Sequence, residues 1–224
     1  MPPGPISRFF RYDRLLAQEL SRGCASLLDV GCGNNSPVRR LTSAIPQRTG
    51  VDAFAPALAE SLRLGIHTDG RQVDVLDIGS HFAPRSYDCV LASDVIEHLE
   101  KEEGMRLIEA MERIARRKVV IFTPNGFLPQ APYADNPWQA HRSGWEPGEM
   151  RARGYRVIGV NGWKGFFGER GRLTWRPRVV WKFVAIASRG WTVNRPHLAF
   201  QLLCVKDLPA TTAPPGRAES ADTA

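Results

Sequence analysis

The stretch Leu27-Leu28-Asp29-Val30-Gly31-Cys32-Gly33-Asn34-Asn35 constrains this chain more than any other. An apolar strand runs into an acid and then into two glycines separated by one residue. Glycine has no Cβ, so the chain can turn sharply at the carboxyl end of a strand and leave bare backbone for a ligand to lie against. The pattern falls one glycine short of the dinucleotide fingerprint G-x-G-x-x-G, because Ser36 stands where the third would be. Taken by itself it also describes a tight strand-to-helix turn with no ligand.

The segments that follow alternate strand and helix. Apolar runs at Ser26–Val30, Thr49–Asp52, Arg71–Val75, Tyr87–Ala92 and Lys118–Thr123 read as strands. Ser7–Arg22, Pro37–Ile45, Ala55–Leu64 and Lys101–Ala115 read as helices, the second opening on a proline that suits a first turn. Repeated alternation of this kind predicts an α/β fold with a parallel sheet covered by helices on both faces. Beyond Gly126 the pattern changes to a long Pro-, Asn-, Gln- and Trp-bearing loop over 127–147. Loops of that length in a compact domain tend to be functional. A short helix over Glu146–Arg153 and strands at Arg156–Val160 and Ala199–Val205 complete seven strands.

The 224 residues suit one domain with a sizeable core. No apolar run has membrane-spanning length, and Met1–Pro5 lacks a secretory apolar core. Cys24, Cys32, Cys89 and Cys204 form no C-x-x-C pair and read as reduced, mostly buried thiols of a cytoplasmic protein. The net charge of +7 favours an anionic partner, unless it reflects only an arginine-rich composition.

Asp52 ends the second strand, where a carboxylate offers two acceptor oxygens to the hydroxyls of a ribose, or caps the next helix. Asp74-Val75 ends the third, where an acid could accept from an adenine amino group while the valine packs on the ring. The order of these motifs resembles the class I S-adenosylmethionine-dependent methyltransferases, in their small-molecule O-methyltransferase-like branch. The resemblance rests on Leu28-Asp29-Val30-Gly31-Cys32-Gly33, Val51-Asp52, Val73-Asp74-Val75, Ser86-Tyr87-Asp88-Cys89-Val90 and Ser93-Asp94-Val95-Ile96-Glu97-His98, and covers residues 25–125. It implies a Rossmann-like, seven-stranded, mostly parallel sheet and S-adenosylmethionine as cofactor. Asp29 and the loop at Gly31 and Gly33 would approach its amino-acid part, Asp52 its ribose, and Asp74 and Val75 its adenine. Ser93 would lie near the sulfonium. Nicotinamide enzymes share the glycine loop, but the segment Asp94–His98 has no role in them.

Asp94, Glu97 and His98 stand at i, i+3 and i+4 and would share a face if that segment were helical. Two carboxylates and an imidazole suit a divalent cation, magnesium or another. The set resembles the Glu-x-x-Glu-His site of ubiquinone-pathway O-methyltransferases and of small-RNA 3′-end 2′-O-methyltransferases. That likeness makes His141, after the fifth strand, the candidate fourth ligand. Glu97 could instead shape the pocket, and His98 or His141 could serve as general base. Asn136-Pro137-Trp138 is out of place for the Asn-Pro-Pro-aromatic motif of nitrogen methylation and reads as loop chemistry.

The division expected is an N-terminal helical lead over 1–22, a methyltransferase domain over 23–206 and a disordered tail over 207–224. Residues 163–197 form an insertion between the last two strands, rich in Trp and Arg. Val179, Val180, Phe183, Val184, Ile186 and Ala187 could make an apolar helical stripe there. Packing against the sheet or across a homodimer is the expected use. A substrate lid, a membrane-surface contact and a nucleic-acid surface are the others. The acceptor expected is a hydroxylated small molecule such as a sugar or glycan precursor. RNA 2′-O-methylation and a non-catalytic cofactor-binding domain stand as alternatives.

Overall fold

The computed structural model describes residues 10–21, 23–131, 137–168 and 172–209. The start of the expected first helix, the part of the expected tail beyond residue 209, Asn136 and Arg170 lie outside them. Seven strands form one sheet: β1 (Ser26–Val30), β2 (Gln47–Val51), β3 (Asp69–Arg71), β4 (Tyr87–Ser93), β5 (Ala115–Pro124), β6 (Arg156–Trp163) and β7 (Ala199–Asp207). Their spatial order is β3-β2-β1-β4-β5-β7-β6, with β1 to β5 parallel and β7 antiparallel to both its neighbours. The order reverses between β1 and β4, and their carboxyl ends open the crevice where ligands of doubly wound sheets bind.

The strands read as near-continuous apolar runs because both faces are covered. Leu28, Val30, Val90, Ala92, Val119 and Ile121 pack on one side with Leu107, Ile108, Met111 and Ile114 of α4 (Lys101–Ile114). Alternate residues Leu27, Leu91, Val120 and Phe122 pack on the other with Tyr12, Leu16 and Leu20 of α1 (Phe10–Ser21). The remaining helices are α2 (Ala55–Arg63), α3 (Ile78–His81), α5 (Pro147–Ala152) and α6 (Arg178–Thr192).

Three expectations need correction. Pro37–Ile45 is helical only as a 3-10 turn over Pro37–Arg40. Pro46 disfavours helical backbone at Ile45, and Thr42 and Ser43 offer their own hydrogen bonds in competition. The third strand is Asp69–Arg71, set by parallel pairing with Thr49–Val51, and not Arg71–Val75. Asp74 instead accepts from the Leu76 amide at 3.0 Å and caps a 3-10 turn. The apolar stripe of α6 does not face the sheet: Ala185 and Thr192 do, whereas Val179, Val180, Phe183, Val184 and Ile186 are exposed.

Candidate active site

A cleft of about 850 Å³ opens across the carboxyl ends of β1, β2 and β4. The chain leaves β1 through Gly31, at φ +64°, and Gly33, at φ +55°. At Gly31 an added Cβ would also stand 2.7 Å from Val95, whereas at Gly33 it would meet only the open cleft. The turn is braced from below. Buried Asp29 accepts from the Ser36 hydroxyl and lies 3.0 Å from His67 Nε2, whose Nδ1 lies 2.7 Å from Ser61 Oγ. Asp29 is therefore a support of the turn more than an open ligand group. Asp52 reaches across at the end of β2, accepting the Gly33 amide at 2.8 Å on one oxygen and the Phe54 amide at 2.8 Å on the other. Each oxygen keeps acceptor capacity toward the cleft. Asp74 and Val75 line the next wall, and Ser93 bonds Tyr12 Oη at 2.9 Å.

After β4 the backbone takes a left-handed turn at Asp94, φ +55°, and then a single 3-10 turn over Ile96–His98. Asp94, Glu97 and His98 consequently do not share a helix face. The structure brings together Glu97, His98 and His141, whose ligand atoms all lie within 4.8 Å of one another. Asp94 stands outside that group, accepting from Gln201 Nε2 at 3.3 Å.

His141 reaches this place because its segment is sewn onto the one after β4. The Glu97 carbonyl accepts the Arg142 and Ser143 amides at 2.8 and 3.1 Å. Ser143 Oγ and Trp145 Nε1 donate to the Ile96 carbonyl at 3.1 and 3.2 Å. Lys101 bonds the Gly144 carbonyl at 2.6 Å and lies 3.7 Å over the ring of fully buried Trp145. Gly104 makes room for that ring: a Cβ there would stand 2.5 Å from it.

The donor set is prepared for a ligand. His98 Nδ1 donates to the Ala140 carbonyl at 3.1 Å and His141 Nδ1 to the Leu128 carbonyl at 2.6 Å. With Nδ1 occupied, both neutral rings carry their lone pair on Nε2. Burial pushes the His98 pKa down to about 4 and lowers that of His141. Glu97 is only 2% exposed. One of its oxygens accepts from Thr123 Oγ1 at 3.0 Å, and Oε1 has no donor among the described residues. Burial, with the Asp94 charge nearby, pushes the Glu97 carboxyl well above its ordinary range. A buried carboxyl with one oxygen lacking a donor and two oriented imidazoles fit a divalent cation, whose charge would favour the ionised carboxylate.

Tyr12 was not among the residues singled out from sequence, yet it lines the cleft, stacked on Phe122 at 4.0 Å. Its spacing with Leu16 and Leu20 at i, i+4 and i+8 was the available signal. Asn161 and Gln201 also line the cleft. Asn161 sits at φ +66° and its Nδ2 donates to Gln201 Oε1 at 2.5 Å.

The methyltransferase-domain family matches residues 28–123. The match runs from β1 into β5 and covers less than half of the chain. Uncharacterized methyltransferases of Mycobacterium bovis and Mycobacterium tuberculosis are 28% identical over 96 residues, 43% of this chain and 49% of theirs. The chain thus spans about half the length of those curated relatives. A methyltransferase from Archaeoglobus fulgidus superposes with TM-score 0.56 at 18% identity, over 88% of this chain and 94% of that one. The methyltransferase domain of bacterial CtHen1 does so with TM-score 0.56 at 20% identity, over 88% and 97%. A [4+2]-cyclase, SpnF, superposes as well, with TM-score 0.57 at 16% identity over 90% and 81%. Likeness at this level shows the methyltransferase fold and leaves the reaction to the site residues.

Proposed function

We propose that this chain is a class I S-adenosylmethionine-dependent methyltransferase that acts on a hydroxyl oxygen of a small hydroxylated acceptor, with a divalent cation held by Glu97, His98 and His141. The observation that carries the reading is the donor set itself. Two Nε2 atoms and an unanswered carboxylate oxygen converge in the same cleft as the glycine turn. Two imidazoles to one carboxylate favour manganese, cobalt, iron or zinc over magnesium, which prefers an all-oxygen octahedral shell.

When bound, S-adenosylmethionine supplies an electrophilic methyl on sulfur, and a cation lowers the pKa of a hydroxyl it coordinates. The chain's own residues align the partners. Gly31 and Gly33 would let backbone approach the donor's amino-acid end, Asp52 would accept from its ribose hydroxyls, and Asp74 and Val75 would hold the adenine. Ser93, bonded to Tyr12, would stand beside the sulfonium. The acceptor oxygen bonds the methyl carbon as the carbon–sulfur bond breaks, the sulfur keeping the electron pair and the hydroxyl giving up its proton. His98, its pKa near 4, is a weak base for that proton but a good neutral ligand. Without the cation, half-exposed His141 would be the better proton acceptor of the two; with it, both rings serve as ligands.

Gln130, Gln139, Arg142 and exposed Trp138 line the outer cleft. A flat ring beside hydrogen-bonding groups suits the face of a sugar, and vicinal hydroxyls suit a cation. The 2′,3′-diol at an RNA 3′ end offers the same chemistry, and the net charge of +7 favours that second reading. Transfer from labelled donor to a panel of sugars, phenols and a short RNA, with and without exhaustive chelation and manganese add-back, tests both. Metal-dependent labelling of a diol-bearing sugar is expected. Labelling of RNA alone overturns the sugar reading, and undiminished transfer after chelation overturns the cation.

A further inference from the structure

Helix α6 presents a face that the fold leaves unused. It lies on β6 through Ala185, Ser188 and Thr192, with Ser188 Oγ accepting the Trp163 amide at 3.0 Å. Its opposite face is apolar and open to solvent: Val179 is 67% and Phe183 68% exposed, joined by Val180, Val184, Ile186 and Trp191. At about 100° per residue these side chains sweep an arc of roughly 160°. A contiguous apolar patch of that kind marks an interaction surface.

Charge decides what fits it. Arg178 and Lys182 follow one edge of the arc, and exposed Arg172 and Arg176 precede the helix beside half-exposed Trp175. From Arg172 to Arg195 the sequence holds six Lys or Arg and no Asp or Glu. A second copy docking antiparallel about a two-fold axis would set this cationic edge against itself. A nucleic acid would answer the cations but leave the Val, Phe and Trp side chains in water. An apolar arc bordered by cations and aromatic residues matches the interface of an anionic bilayer, where the helix lies flat with its apolar side among the acyl chains. At 15 residues it is too short to span one, and no helix among the described residues is long and apolar enough to cross a membrane.

We propose that α6 docks this protein peripherally on membranes bearing anionic headgroups. The helix packs on the strand that carries Asn161 into the cleft, so docking would hold the acceptor side of the site near the lipid surface. The proposal stands on the helix and its charges and does not depend on the acceptor's identity.

Co-sedimentation of the full chain with phosphatidylcholine vesicles, with and without phosphatidylglycerol, tests it. Binding is expected only with the anionic lipid, with a blue shift of Trp fluorescence and loss at high salt. Arg178→Gln with Lys182→Gln should weaken binding roughly 30-fold, at about fivefold per cation. Val179→Ser with Phe183→Ser should abolish it while the melting temperature holds, since both side chains are exposed. No binding to anionic vesicles, or binding indifferent to these variants, overturns the proposal. So does a dimer in solution that Phe183→Ser dissociates, or an RNA complex that it leaves unchanged in the absence of vesicle binding.

Discussion

At the scale of the residue, Glu97 shows how a functional group is held at some expense to the fold. Its carboxyl is buried, bonded on one oxygen by Thr123 and unanswered on the other. A buried polar atom without a partner costs about 1–3 kcal/mol. Glu97→Gln should therefore leave the metal-free protein as stable or more so, and should abolish the rise in melting temperature on adding manganese. Thermal melts with and without manganese check both halves. A metal-induced shift preserved in the variant would remove Glu97 from the ligand set. His98 makes a prediction of opposite character. Its folded-state pKa, about 4, lies below the value of about 6.5 in an unfolded chain, so the unfolded state takes up a proton first as pH falls. The stability it contributes is full above pH 6.5 and is lost progressively between about 6.5 and 4. Comparing metal-free wild type with His98→Gln across that window isolates the effect, because Glu97 is common to both. The wild type should lose more stability than the variant on acidification.

At the scale of the element, α4 and the segment ending in Trp145 form one device. Gly104 lies in the buried face of α4 and accommodates the Trp145 ring. On an exposed helical face Gly→Ala would stabilise by up to about 1 kcal/mol. Here the new methyl would collide with the indole, and overpacking costs about 1–3 kcal/mol. Gly104→Ala should lower stability in urea titrations, and it should weaken metal binding as well, since Trp145, Ser143 and His141 share a backbone tied to Ile96 and Glu97. Unchanged metal affinity would show that His141 is positioned by something else. The elements most readily read from sequence were those buried on both sides. Every residue of β1 is buried, and so are the first six of β4. Burial on both faces forces an uninterrupted apolar run that propensity and pattern agree on. β3, an edge strand of three residues with none buried, carries no such pattern, and its location depends on pairing with β2. The face of α6 was ambiguous for a related reason. Periodicity reveals that an apolar stripe exists, but what it meets depends on neighbours distant in the chain. Among site residues, Gly31, Gly33 and Asp52 follow from local strand-to-turn chemistry. Tyr12 and Asn161 reach the cleft only through tertiary packing.

At the scale of the whole molecule, α1 ties the sheet core to the cleft. Leu16 and Leu20 pack with Leu27, Leu91 and Val120 under the sheet, while Tyr12, one turn earlier, stacks on Phe122 and bonds Ser93 at 2.9 Å. Lys118, in β5, bonds the Glu19 carbonyl at 2.8 Å and fixes the other end of the helix. The helix therefore acts on the site by two separable routes. Leu16→Ala removes buried core contact and should cost about 2–5 kcal/mol, read as an earlier urea transition. A single transition seen alike by far-UV circular dichroism and Trp fluorescence would follow from the shared core. Tyr12→Phe removes only the phenolic oxygen. Its cost should be about 0.5–1.5 kcal/mol, the net worth of one neutral hydrogen bond, and the fold should persist. Ser93 then loses the partner that orients it beside the expected sulfonium position, so donor affinity or turnover should fall more than stability does. If both variants depress transfer only in proportion to the fraction unfolded, α1 is scaffold alone. If Tyr12→Phe impairs transfer in a fully folded protein, the N-terminal helix belongs to the active site.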